Sequence, residues 1–127
     1  MLDGLNQFFS TSGFMPHGHC FLWAPALLWS YDMPGSQWPI TIPTPVVEGD
    51  LLLAVSAHVG SVLLRLKPDA PAVEVVWRHD SRKSRSPDGL NSVIPTPLVM
   101  NGGIYGVGGK GELRGLDLMT GKRLWED

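Results

Sequence analysis

Two registers of repetition run through this chain, and together they leave few folds open to it. Ile42-Pro43-Thr44-Pro45-Val46-Val47 returns as Ile94-Pro95-Thr96-Pro97-Leu98-Val99, 52 residues later. Trp29, Trp77 and Trp125 stand 48 residues apart, and Asp32 and Asp80 each follow their tryptophan by three. A fixed period of roughly 40–50 residues marks a chain built from stacked supersecondary units.

The second unit is the clearer one. Pro95–Met100 is a short apolar run, Asn101-Gly102-Gly103 a turn, and Ile104–Val107 a second run. Gly108–Gly111 leaves no room for a helix. Glu112–Leu118 alternates as a strand with one buried face does, Thr120-Gly121 turns the chain, and Lys122–Glu126 carries Leu124-Trp125. Turns this tight hold no crossover helix, so the strands should run antiparallel. Four such strands with a tryptophan near the end of the unit read as one blade of a β-propeller, its indole plugging the seam to the next blade.

The first unit follows the same plan. Val46-Val47-Glu48-Gly49-Asp50-Leu51 reads as strand, turn and strand, and Leu51–Ser56 suits a strand buried on both faces. Ser61–Lys67 and the Trp77-bearing Val73–Arg78 complete it. Residues 1–29 are apolar and aromatic but show no period, and are expected to form an irregular arm. The expected fold is therefore all-β: a partial β-propeller of about two four-stranded antiparallel blades over residues 30–127, preceded by that arm.

Composition agrees. With 43% hydrophobic and 17% charged residues the chain should fold, and 15 glycines and 11 prolines suit short strands and turns. The formal charge of −2 argues against general binding to nucleic acid or to a membrane surface. The longest apolar run, Cys20–Trp29, has ten residues and contains Pro25, whereas a membrane span takes about twenty. No Lys or Arg precedes Arg65, so no secretory signal is recognised. Two blades do not close a ring, which takes roughly four to eight. The chain is thus expected to be a piece of a longer propeller or to associate with itself.

Glu112-Leu113-Arg114-Gly115-Leu116-Asp117-Leu118-Met119-Thr120-Gly121-Lys122-Arg123-Leu124-Trp125 resembles the repeat of PQQ-like β-propellers, in which L-x-x-L-D-x-x-T-G-x-x-x-W marks the last two strands of a blade. That family includes quinoprotein dehydrogenases and outer-membrane assembly lipoproteins of the BamB type. The resemblance covers about residues 29–127 and gives Trp29, Trp77, Trp125, Asp117 and Gly121 structural roles in the repeat. The first unit departs from it, with Asp69-Ala70-Pro71-Ala72 in place of the Thr-Gly turn. It implies a location in the cell envelope or periplasm. Separately, Phe14-Met15-Pro16-His17-Gly18-His19-Cys20-Phe21-Leu22-Trp23 resembles the extreme N-terminus of bacterial membrane sensor kinases and diguanylate cyclases.

No catalytic set emerges. His17, His19 and Cys20 are candidate soft metal ligands, but a tetrahedral site wants a second cluster, and only His58 and His79 remain. Gly106-Val107-Gly108-Gly109-Lys110-Gly111 matches G-x-G-x-x-G, but a dinucleotide site needs a helix next, and Glu112–Leu118 alternates as a strand. Its glycines suit a tight hairpin. Arg78, Arg82, Lys83 and Arg85 mark a basic loop without aromatic partners. A quinoprotein dehydrogenase would need calcium-binding acids and a cysteine pair, and this chain has one cysteine. The expectation is a non-enzymatic scaffold without cofactor, whose partner is another protein or the missing blades. The alternatives are a piece of a PQQ-dependent oxidoreductase and a remnant of a membrane sensor.

Overall fold

A computed structural model describes residues 9–12, 18–23, 27–33, 42–67, 69–70, 72–80 and 88–127; before Ile42 only the side chains of Trp29 and Tyr31 are described. Every regular element among these residues is a strand. The first sheet holds β1 (Phe9–Ser12), β2 (Gly18–Trp23) and β3 (Leu27–Met33) in that order. The second holds β4 (Val46–Glu48), β5 (Leu51–Ser56), β6 (Gly60–Leu66) and β7 (Val73–Asp80). The third holds β8 (Leu98–Met100), β9 (Gly103–Val107), β10 (Leu113–Asp117) and β11 (Arg123–Glu126). All pairings are antiparallel between neighbours in sequence. The all-β architecture with two four-stranded sheets is as the repeat predicts.

The irregular arm needs correction. Part of residues 1–29 forms β1, β2 and the start of β3, which runs on to Met33. Sequence periodicity missed β2 and the start of β3 for a physical reason. Cys20–Trp29 is apolar without interruption, so nothing alternates along it, and strand and buried helix then look the same.

The three sheets share one register. Trp77 pairs with Leu63 on the preceding strand, Trp125 with Gly115, and Trp29 with Leu22. In each case the ladder shifts beside that pair, leaving the residue before the tryptophan, Val76, Leu124 or Leu28, as the extra residue of a bulge. A bulge sharpens the local twist and re-aims the neighbouring side chain. Thus the 48-residue spacing of the tryptophans reflects one strand geometry used three times.

The second sheet is buried on both faces. Leu52, Ala54, Val62, Leu64 and Leu66 pack with Val59 and Trp29, and Tyr31, Val47 and Val73 lie against them. The opposite face, Leu51, Leu53, Val55, Leu63 and Trp77, packs with Leu90, Ile104, Leu116 and Leu118 of the third unit. This explains why Leu51–Ser56 is apolar at every position bar its last: β5 has no solvent face. Covering such a leucine contributes about 1.5–3 kcal/mol each.

The repeated prolines set where the inner strands begin. Pro45 and Pro97 lack an N–H for a ladder, and β4 and β8 start at the next residue and last three residues each. The two Ile-Pro-Thr-Pro copies lie side by side, and Thr44 N–H donates to Thr96 Oγ1 at 3.1 Å. Past β8 the chain reverses through Asn101 (φ 50°) and Gly102 (φ 75°), a pair suited to left-handed backbone.

Candidate interaction surface

The seam between the second and third sheets is built around one turn. Asp117 Oδ1 accepts from the backbone N–H and the hydroxyl of Thr120, both at 2.9 Å. Gly121 N–H donates to Asp117 O at 2.8 Å, and Asp117 N–H to Lys122 O at 2.9 Å. An Asp followed three residues later by Thr folds the turn on itself because the carboxylate satisfies backbone that would otherwise face water. Leu118 N–H donates to Gly102 O at 2.9 Å and so fixes this turn to the one between β8 and β9.

Trp77 reaches across the seam to that turn. Its Nε1–H donates to Leu118 O at 2.7 Å, in a buried position. His79 follows two residues later, on the same side of β7. Its Nε2 lies 3.0 Å from Thr120 O, and a carbonyl only accepts, so this contact requires the proton on Nε2. The two rings lie 5.1 Å apart at 44°. Gly121 sits beneath them at φ 68°, where an added β-carbon would come within 2.6 Å of His79 and 2.9 Å of Trp77. Both the dihedral and the space require glycine there.

A strap closes the seam. Asp88–Ser92 runs between the sheets, with Gly89 N–H donating to Gly121 O at 2.8 Å and Leu90 N–H to Ser61 Oγ at 2.9 Å. Asp88 Oδ1 accepts from Arg123 N–H, Asn91 Oδ1 from Gly109 N–H, and Ser92 Oγ donates to Val107 O. Leu90 is buried beside Ile104. The basic loop read from Arg78, Arg82, Lys83 and Arg85 does not foretell this strap; its signal in the sequence is Leu90, the one leucine after that polar stretch. Sequence reasoning also missed His79, which strand alternation from Trp77 could have supplied.

The far face of the third sheet repeats the buried face of the second, but is open. Val46–Leu53–Leu63–Trp77 form one row across the second sheet, and Leu98–Tyr105–Gly115–Trp125 form the matching row of the third. Leu53 and Trp77 are 1% and 9% exposed, whereas Tyr105 and Trp125 are 37% and 45% exposed. Leu98, Met100 and Leu113 are exposed on the same face. The expected burial of the repeat tryptophans thus holds for Trp29 and Trp77 and not for Trp125. Its indole lies over Gly115, where a β-carbon would collide with it, and 6.3 Å from the Tyr105 ring.

A charged cluster lies on the other face of the third sheet, toward the strap, where Arg114 Nη1 is 3.4 Å from Gly89 O. Arg114 is paired with Glu112 at 2.9 Å and Glu126 at 2.7 Å, and Arg123 with Glu126 at 2.7 Å. The side-chain hydrogen bond from Arg123 holds the Glu126 carboxyl below its ordinary value, helped by the hydrogen bond and charge of Arg114 and opposed by partial desolvation.

Of the other residues singled out by sequence, His17 lies outside the described residues, as do Arg82, Lys83 and Arg85. His19 and Cys20 pair in backbone with Asp32 and Tyr31, and their side chains lie outside the described set. Among the described residues no three His, Cys, Asp or Glu side chains gather as metal ligands do. The Gly106–Gly111 segment leads into strand β10, as its alternation predicts. Among the described residues no helix is long and apolar enough to cross a membrane.

No protein-family model matches the chain, and no curated protein matches it significantly. Among solved structures it is similar to BamB from Moraxella catarrhalis, with a TM-score of 0.60 and 17% identity, over 94% of this chain and 31% of that one. The chain therefore spans less than a third of that protein's length. At this identity the likeness concerns the fold, and with the three-sheet register it establishes that the chain has the fold of part of a BamB-like β-propeller.

Proposed function

We propose that this chain is a non-enzymatic segment of a PQQ-like β-propeller that serves as a protein-interaction scaffold, and that it is a piece of a longer propeller. One observation carries the reading. The third sheet presents an apolar face, Leu98, Met100, Tyr105, Leu113 and Trp125, whose counterpart on the second sheet is covered by protein. Contiguous exposed apolar surface of this kind supports a protein partner.

Sedimentation velocity across a range of concentrations tests this. The chain is expected to associate weakly with itself, and Leu98→Asp with Tyr105→Asp should hold it monomeric while leaving the fold intact. A compact monomer at every concentration, with a cooperative melt and no response to those substitutions, would remove the case for a missing cover. The alternative of a PQQ-dependent oxidoreductase predicts PQQ and calcium binding by the protein, which equilibrium dialysis with each would reveal.

A further inference from the structure

We propose that Asn101, in the turn between β8 and β9, is a site of spontaneous covalent modification: its side-chain amide is lost as ammonia, and the isoaspartyl product loosens the hold on Trp77. This holds whether or not the open face takes a partner.

The chemistry lies within one dipeptide. The nitrogen of the next peptide bond gives up its proton and attacks the side-chain carbonyl carbon. The bond from that carbon to the amide nitrogen breaks, and the nitrogen leaves as ammonia with the proton. Water then opens the resulting succinimide. Opening at Cγ gives aspartate in an ordinary chain. Opening at the main-chain carbonyl gives isoaspartate, whose chain runs through the side-chain carbon. Water is the only other reactant. Glycine is the best successor, because it has no β-carbon to crowd the attacking nitrogen.

The described residues hold one Asp-Gly and one Asn-Gly pair, and the fold treats them differently. In Asp88-Gly89, Gly89 N–H donates to Gly121 O at 2.8 Å, and Asp88 Oδ1 accepts from Arg123 N–H at 3.0 Å. That nitrogen cannot attack until the seam opens. Asn101 and Gly102 are both exposed, and among the described residues no hydrogen bond holds the Asn101 side chain or the Gly102 N–H. A β-carbon at Gly102 would meet nothing within 4 Å, so the turn has room to bend into the ring.

Leu118 links this turn to Trp77. Its N–H donates to Gly102 O at 2.9 Å, and its carbonyl accepts from Trp77 Nε1–H at 2.7 Å. A two-residue hairpin turn fits one backbone length. Isoaspartate puts an extra carbon into that backbone, which displaces Gly102 O and, through Leu118, the acceptor of the indole. Aspartate leaves the backbone as it was and adds only charge.

The test holds the chain at mildly alkaline pH, folded and in urea, and follows each site by peptide mapping with mass spectrometry. Enzymatic methylation of the free carboxyl group identifies isoaspartate. Folding should slow Asp88 isomerisation by about tenfold or more and slow Asn101 by less than that. Slowing of Asn101 past that mark, or change at Asp88 within it, would overturn the proposal. The link to Trp77 is read from hydrogen exchange at its indole N–H, assigned by Trp77→Phe. Exchange should be about threefold or more faster in the purified isoaspartyl fraction than in Asn101→Asp, which carries the charge on an unaltered backbone, while the backbone amides of β5 and β6 keep their protection. A smaller difference would overturn the link. So would loss of protection in β5 and β6, since the fold itself would then have opened.

Discussion

The second and third sheets have the same strand order, the same bulge and the same row of apolar residues, yet one face is sealed and the other open. Trp77 and Trp125 differ in surroundings far more than in strand geometry. Trp77 is 9% exposed and holds a carbonyl of the next unit; Trp125 is 45% exposed and lies on its own sheet over Gly115. The lesson is that a repeat tryptophan stabilises the seam and not the sheet that carries it. The energy of each unit is held in common with its neighbour, as expected of repeat architectures.

The largest contrast should come from removing the two indoles. Trp77→Ala should cost about 3–5 kcal/mol, because it opens a cavity in the seam and strands the Leu118 carbonyl, whereas Trp125→Ala should cost under about 1 kcal/mol. Urea denaturation of both variants measures this. Equal losses would break the comparison.

The next contrast lies in the glycines. Gly121 and Gly49 both have positive φ, at 68° and 60°, but a β-carbon at Gly121 meets Trp77 and His79 while one at Gly49 meets nothing within 4 Å. Gly121→Ala should cost roughly 2–4 kcal/mol, strain plus overpacking, and Gly49→Ala about 1–2 kcal/mol, strain alone. Thermal melts of the two variants separate the terms.

Much of the fold was legible because its signals are local. The Gly and Asn turns, the short apolar runs and the 48-residue tryptophan spacing specify strands, their order and their number per unit after Trp29. In the first sheet, β2 and the start of β3 were not legible because the unbroken apolar run Cys20–Trp29 carries no period. The interaction surface was only partly legible. Trp77, Asp117 and Gly121 were visible as repeat positions, but their meeting across the seam joins residues about 40 apart, and strand alternation says which face a side chain takes without saying what covers it. Tyr105 and Trp125 look like core residues in the sequence, and only the structure shows their face open.

A smaller effect follows from the turn itself. Asp117→Ala removes two hydrogen bonds to Thr120 at an exposed site and should cost about 1 kcal/mol. If Trp77 indeed docks on this turn, the same substitution should also raise the acrylamide quenching of Trp77 and leave that of Trp125 unchanged.

The smallest effect concerns pH and belongs to the open sheet alone. Arg123 and Arg114 lower the Glu126 carboxyl below its ordinary value of 4.5, so the folded state favours the ionised form. The contribution is present above that ordinary value and is lost as pH falls through the lower, folded one. The melting difference between the native chain and Glu126→Gln should therefore be constant at neutral pH and vanish on acidification. A difference that grows toward low pH would contradict the assignment.

The central claim is that Trp77 is fixed to the next unit's turn while Trp125, in the same strand position, is not fixed to anything beyond its own sheet. Hydrogen exchange at the two indole N–H groups, followed by NMR in the native chain, tests it directly. The Trp77 N–H, bonded to Leu118 O in the buried seam, should exchange slowly, at rates set by opening of the seam, and that of Trp125 should exchange rapidly. Equal exchange of the two N–H groups would contradict the claim, because the seam would then not distinguish them.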